Sequence, residues 1–129
     1  MKILLDTNAY TALMEGHTAT ARHVRGAEGV VMSAVVVGEL FYGFRHGSRF
    51  GKNRQQLEGF LRESYVDFLP VTMLTCERFS MVAAQLRRAG TPIPSNDIWI
   101  SAHALETGAH VVSFDSHFES VAGLALVTP

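Results

Sequence analysis

Four acidic residues stand out by what surrounds them. Asp6 closes the apolar run Lys2-Ile3-Leu4-Leu5 and is followed by Thr7 and Asn8. Glu39 is the only charge between Glu28 and Arg45, inside Ala34-Val35-Val36-Val37-Gly38-Glu39-Leu40-Phe41-Tyr42-Gly43-Phe44. An ionised carboxylate in such a setting either has a cation or faces solvent on a narrow stripe, because burial without a partner is very costly. Its neighbours at helical spacing, Val35, Val36, Tyr42 and Gly43, offer no cation. Asp97 follows Pro92-Ile93-Pro94-Ser95-Asn96, and Asp115 follows Val111-Val112-Ser113-Phe114. Each acid also has an ordinary structural role open to it: a helix cap for Asp6 and Asp115, a first-turn dipole contact for Asp97.

If the four converge, they repel. At ~4 Å and an effective dielectric near ~20, each pair costs about 4 kcal/mol. A hard divalent cation would neutralise the cluster, and oxygen-only ligation selects Mg²⁺, with Mn²⁺ as the alternative, over zinc. Such an ion lowers the pKa of bound water, polarises a phosphoryl oxygen and stabilises a leaving group. Phosphodiester hydrolysis needs those three services.

The other chemistries are poorly supported. There is no Gly-rich phosphate loop and no zinc spacing of cysteines and histidines. Ser33 and Ser113 lack a G-x-S-x-G setting. The single Cys76 makes no internal disulfide, fits a reducing compartment, and is expected to be a core or half-buried thiol. His117 stands two residues beyond Asp115, where a lone histidine is more often a surface group than a ligand. Basic residues cluster once: Arg45, Arg49, Lys52 and Arg54 fall in a stretch without an acid between Glu39 and Glu58. With His46, Gly47, Ser48 and Gly51 among them, the stretch reads as a flexible loop or helix end able to track a phosphate backbone, or as a plain solvated loop. Net charge is only -1, so any grip on a polyanion must come from a local patch or a metal.

The elements that must position these residues follow from periodicity. Lys2 to Leu5 reads as a buried strand and Ala9 to Glu15 as a short helix stopped by Gly16, with a second helix from Thr18 to Arg25. Gly29 to Met32 is a strand, and Ser33 caps a helix from Ala34 to Arg45. Val35-Val36-Val37 favours a strand there, but Val37, Leu40, Phe41 and Phe44 recur at helical spacing. Gln55 to Glu63 reads as a helix, Val66 to Leu69 as a strand, and Thr72 to Arg88 as a long helix ended by Gly90. After Pro92 and Pro94, Ser95 or Asn96 caps a helix from Asp97 to Glu106, closed by Gly108. His110 to Ser113 is a strand, Asp115 to Glu119 a turn of helix, and Leu124 to Val127 a last strand.

Strands separated by helices imply an α/β three-layer fold, a mainly parallel central sheet of about four to five strands flanked by helices. The 129 residues, 47% of them hydrophobic, suit one domain, with no repeat or linker. No stretch approaches ~20 apolar residues and the opening run is too short for a signal peptide, so no membrane association and a cytoplasmic location are expected. Asp6 and Asp115 fall at the carboxyl ends of strands, where parallel sheets bind ligands.

Taken together, the sequence resembles the PIN-domain ribonucleases, especially the VapC-like toxins of bacterial toxin–antitoxin pairs. Ile3-Leu4-Leu5-Asp6-Thr7-Asn8 looks like the family's first acidic motif, and Ser33 through Gly38-Glu39-Leu40 to Gly43 the second. The segment from Ile93 to Ala104 is the most specific match, and Val111 to Phe118, followed by Gly123-Leu124, resembles the closing motif. The resemblance implies a Mg²⁺-dependent endoribonuclease with Asp6 and Asp97 as principal metal ligands and Glu39 and Asp115 as catalytic acids completing the pocket. It implies Thr7, Asn8 and Ser113 as hydrogen-bonding groups behind them, an RNA substrate, a homodimer and a small antitoxin partner. Many relatives carry a second acid near the position of His117, so its absence here favours a single metal ion. The alternatives are an RNA-processing PIN nuclease without antitoxin, an inactive PIN binding module, and a doubly wound phosphatase. Phosphatases of that kind commonly open with Asp-x-Asp, where this chain has Asn8 in the second position.

Overall fold

The computed structural model describes residues 1–129. Five strands, β1 (Lys2–Leu5), β2 (Gly29–Ser33), β3 (Val66–Leu69), β4 (His110–Val112) and β5 (Leu126–Val127), form one sheet in the order β3-β2-β1-β4-β5. Every pairing is parallel, so the sheet is wholly rather than mainly so. Six helices make the crossovers: α1 (Thr7–Met14), α2 (Thr18–Gly26), α3 (Ala34–His46), α4 (Phe50–Leu61), α5 (Met73–Ala89) and α6 (Ser95–Thr107). A short 3-10 turn, Ser116–Ser120, precedes β5. The chain winds outward from β1 through β2 to β3, then returns to the other side of β1 with β4 and β5. The order reverses between β1 and β4, and a crevice opens there beyond their carboxyl ends.

The core forms because β1, β2 and β4 are apolar on both faces, as strands covered by helices must be. Ile3, Leu4, Leu5, Val30, Val31, Met32, Val111 and Val112 are each at most 2% exposed. Helix α3 settles the conflict between its valines and its periodicity. Ser33 ends β2 and caps α3 through Val35 N–H, and Val36, Val37 and Leu40 then face the core. Burying that stripe outweighs the modest strand preference of three valines. Gly108 closes α6 in the left-handed region at φ 72°, where a side chain would be strained.

Three expectations need correction. Helix α4 starts at Phe50, not Gln55. The Phe50 ring packs under the Arg45 guanidinium at 4.2 Å, a contact that anchors the first turn and is invisible to periodicity. The basic stretch is therefore the end of α3, a short link and the start of α4, not a flexible loop. Helix α6 is capped by Pro94 rather than Ser95 or Asn96: the Pro94 carbonyl accepts from Asp97 N–H at 3.0 Å and Ile98 N–H at 3.3 Å. Cys76 is exposed, because α5 turns Thr75, Val82 and Leu86 inward and leaves Cys76 outside.

Candidate active site

Register brings the first and last motifs together. Leu5 pairs with Val112, and the ladder continues one step as Asp6 N–H donates to the Val112 carbonyl at 3.3 Å. Asp6 thereby lies alongside Ser113, whose hydroxyl donates a short hydrogen bond to Asp6 Oδ2. The other Asp6 oxygen caps α1, accepting from Ala9 N–H at 2.9 Å. The cap role and a site role coexist in one carboxylate. Ser113 Oγ also accepts from Asp115 N–H at 2.9 Å, which turns the chain sharply after β4.

Helices α3 and α6 supply the opposite wall. Glu39 sits one α3 turn from the core residue Val36, half-buried and held by neutral donors. Thr7 Oγ1 donates to its Oε1 at 2.7 Å, and Asn96 Nδ2 to its Oε2 at 3.2 Å. The Pro94 cap makes this possible: with its backbone role taken by proline, the Asn96 amide is free to reach across. Asp97 lies in the first turn of α6 with its side chain 19% exposed, and its Oδ2 is 3.1 Å from His117 Nδ1. Asp115 caps the 3-10 turn through His117 N–H, and its Oδ1 is likewise 3.1 Å from His117 Nδ1. All four acids line one cavity of about 390 Å³, with Thr7, Asn8, Asn96 and His117 on its wall and no Lys or Arg. A larger hollow of about 500 Å³ lies against α5, but it is mostly apolar and has no carboxylate, so the chemistry is not there.

The electrostatics carry the strain of the cluster. Burial pushes the Asp6 carboxyl above its ordinary 3.8. The Ser113 hydroxyl and Ala9 N–H oppose that rise, and Asp97 and Asp115 add to it. Asp97 is also raised, by burial first, with the His117 hydrogen bond opposing and the Asp115 and Glu39 charges reinforcing. Carboxyls perturbed by burial and by one another in a cleft make it a candidate functional site.

Of the predicted site residues, the structure brings together Asp6, Thr7, Glu39, Asp97, Ser113 and Asp115, and leaves Asn8 exposed at the cavity edge. The basic residues lie elsewhere. Arg54 stacks at 4.7 Å on Phe41 and pairs with Glu58, and Arg45 covers Phe50. Only Arg49 and Lys52 remain uncommitted, on a neighbouring hollow that they share with Tyr10 and Glu15. His117 and Asn96 reach the site with no local sequence signal of that reach. Nor does the sequence mark His103, which is fully buried in α6. The His103 Nε2–H donates to the Pro70 carbonyl at 3.1 Å, so Nδ1 accepts from the Ser33 hydroxyl at 2.7 Å. That bridge ties α6 to the start of α3, and so Asp97 to Glu39.

The fold is a wholly parallel α/β sheet with four carboxylates in the crevice at its switch point, and comparison with known proteins gives its class. The PIN domain model matches residues 3–124, and the chain belongs to the PIN-domain family. It is 31% identical over 128 residues to Ribonuclease VapC2 of Haemophilus influenzae, covering 96% of this chain and 95% of that protein. It is 28% identical over 127 residues to the tRNA(fMet)-specific endonuclease VapC of Shigella flexneri, covering 96% and 95%. Among solved structures, VapBC-1 from nontypeable Haemophilus influenzae superposes with a TM-score of 0.85 at 26% identity, covering 98% of this chain and 97% of that one. Within the family its homologues are VapC ribonucleases, and the chain is accordingly a nuclease, a hydrolase of phosphodiester bonds.

Proposed function

We propose that this chain is a Mg²⁺-dependent endoribonuclease, the toxin of a two-component system in which a small antitoxin protein restrains it. One observation carries the reading. Four carboxylates share a cavity without a Lys or Arg, and the only ion pairs to Asp97 and Asp115 come from His117. A divalent ion fits that donor set, since it supplies the positive charge that the chain withholds. When bound, it would polarise a phosphoryl oxygen, acidify a bound water and offset charge on the leaving group.

The protein's own residues then divide the work. Asp6 and Asp97 hold the ion, Asp6 aimed by the Ser113 hydroxyl and Ala9 N–H. Asp115 completes the site beside Asp97. Glu39, its oxygens fixed by Thr7 and Asn96, orients water or takes up a proton. The exposed Asn8 amide lies where a substrate phosphate or ribose would pass. Arg49 and Lys52, with Arg45 and Arg54 behind them, track the RNA backbone away from the scissile bond. An antitoxin guanidinium entering the acidic cavity would supply the missing cation and block the ion. Exposed Met73, Leu74 and Met81 on α5 form an apolar strip that a second copy would cover in a homodimer. No helix is long and apolar enough to cross a membrane, which accords with action on RNA in the cytoplasm.

The test is RNA cleavage by the purified chain with Mg²⁺, Mn²⁺ and EDTA. Cleavage is expected with either ion and none with EDTA. Full activity in metal-free buffer refutes the mechanism, and RNA binding without cleavage in any metal favours a binding module.

A further inference from the structure

The nuclease reading assigns four acids and leaves His117 idle, yet the structure aims it into the site. Its Nδ1 stands 3.1 Å from Asp97 Oδ2 and 3.1 Å from Asp115 Oδ1. The three ligand atoms all lie within 4.8 Å of one another. Asp115 Oδ1 also accepts from the His117 backbone N–H at 2.9 Å, which closes the turn and holds the His117 backbone beside the cavity. The two 3.1 Å contacts are hydrogen-bond distances that also suit neighbouring ligands of one ion, while the Asp97 and Asp115 oxygens must draw together from a separation of up to 4.8 Å. Adjacent ligands around an octahedral ion with bonds of ~2.1–2.2 Å lie ~3.0–3.1 Å apart. The imidazole is 45% exposed, so an ion can reach it from solvent.

We propose that His117 is an inner-sphere ligand of the same ion, so that it and Asp115 join Asp6 and Asp97 in a mixed nitrogen and oxygen site that takes Mn²⁺ in place of Mg²⁺ more readily than an all-carboxylate pocket would. The inference rests on the metal-dependent nuclease reading and sharpens it. An all-carboxylate pocket suits Mg²⁺, which holds its water and its oxygen ligands and gains little from imidazole. One imidazole nitrogen shifts the balance toward Mn²⁺ and the ions that follow it in the Irving–Williams order.

The probe is Mn²⁺ added to the full chain, read by pulsed EPR for coupling of the electron spin to a directly bound ¹⁴N. Parallel titrations of Mn²⁺ and Mg²⁺ follow thermal stability. Wild type is expected to show nitrogen coupling, and His117→Asn to lose it. The Asn variant should lose about tenfold or more in Mn²⁺ affinity with a smaller change for Mg²⁺. His117→Asp, which restores an oxygen-only set, should narrow the Mn²⁺/Mg²⁺ preference in the same direction. Melts in EDTA check that both variants are folded. Mn²⁺ bound without nitrogen coupling, or an unchanged Mn²⁺/Mg²⁺ ratio in both variants, overturns the inference. If RNA cleavage still needs a metal, that result leaves the nuclease reading standing. Absence of any metal binding, with cleavage unaffected by EDTA, overturns both.

Discussion

Asp97→Asn separates a crowded metal pocket from a helix-dipole contact, because the two predict opposite signs for metal-free stability. Asp97 and Asp115 present oxygens within 4.8 Å of each other. At that distance, two unit charges repel by ~3.5 kcal/mol at an effective dielectric of ~20 and ~0.9 kcal/mol in bulk water. The Asp115 side chain is 39% exposed, so solvent screening places the pair in the lower part of that range, about 1–2 kcal/mol. Glu39 and Asp6 add smaller contributions of the same sign. The opposing term is the first-turn acid at the α6 N-terminus, worth about 0.3–1 kcal/mol. Asparagine keeps the shape and an oxygen for His117, so little else changes. In EDTA at pH 8.5, above the ordinary imidazole range, the variant should equal wild type or exceed it by up to about 1.5 kcal/mol. For a chain of this size that is a rise of ~0–5 °C in melting temperature. With Mg²⁺ at ~100 times its Kd, wild type should gain ~2.7 kcal/mol and the variant much less. RNA cleavage should fall by orders of magnitude. An Asp97→Asn protein that melts lower in EDTA and still cleaves RNA would mean that Asp97 serves only its helix.

The pH dependence follows from the same cluster. Asp6 and Asp97 titrate above their ordinary 3.8 in the folded protein, so between that value and their raised ones the native state binds more protons than the unfolded chain. Their contribution to stability is fully present below 3.8 and is lost as pH rises through the folded values. Metal-free melts across that range should show wild type losing ground to Asp97→Asn as pH rises, and parallel curves would contradict the assignment. On the basic face, Arg49→Ala with Lys52→Ala should weaken RNA binding and flatten its salt dependence by about two phosphate contacts. The metal-dependent step should persist at saturating RNA, and an unaltered salt slope returns these residues to plain surface.

Local structure and the available chemistry are legible in short stretches of the chain. Strand β1, the cap at Asp6, the helix of α3 with its valines and the Gly108 stop are decided by hydrogen bonding and periodicity within a few residues, so they are legible in order along the chain. The acids at Asp6 and Asp115 were legible as strand-end residues, and Glu39 as a charge that its own neighbours could not pair. Local signals failed where the deciding contact is between elements. The first turn of α4 depends on Arg45 lying over Phe50, and Cys76 is exposed because of the face α5 turns inward. The site depended most on tertiary structure. Ser113 reaches Asp6 across 107 residues, and Asn96 reaches Glu39 across 57, only because β4 returns beside β1 and α6 packs near α3. His117 carries no local mark of function, since a histidine's role is set by what faces its nitrogens. Here that is Asp115, two residues away, and Asp97, which the packing of α6 against β4 and the 3-10 turn brings alongside.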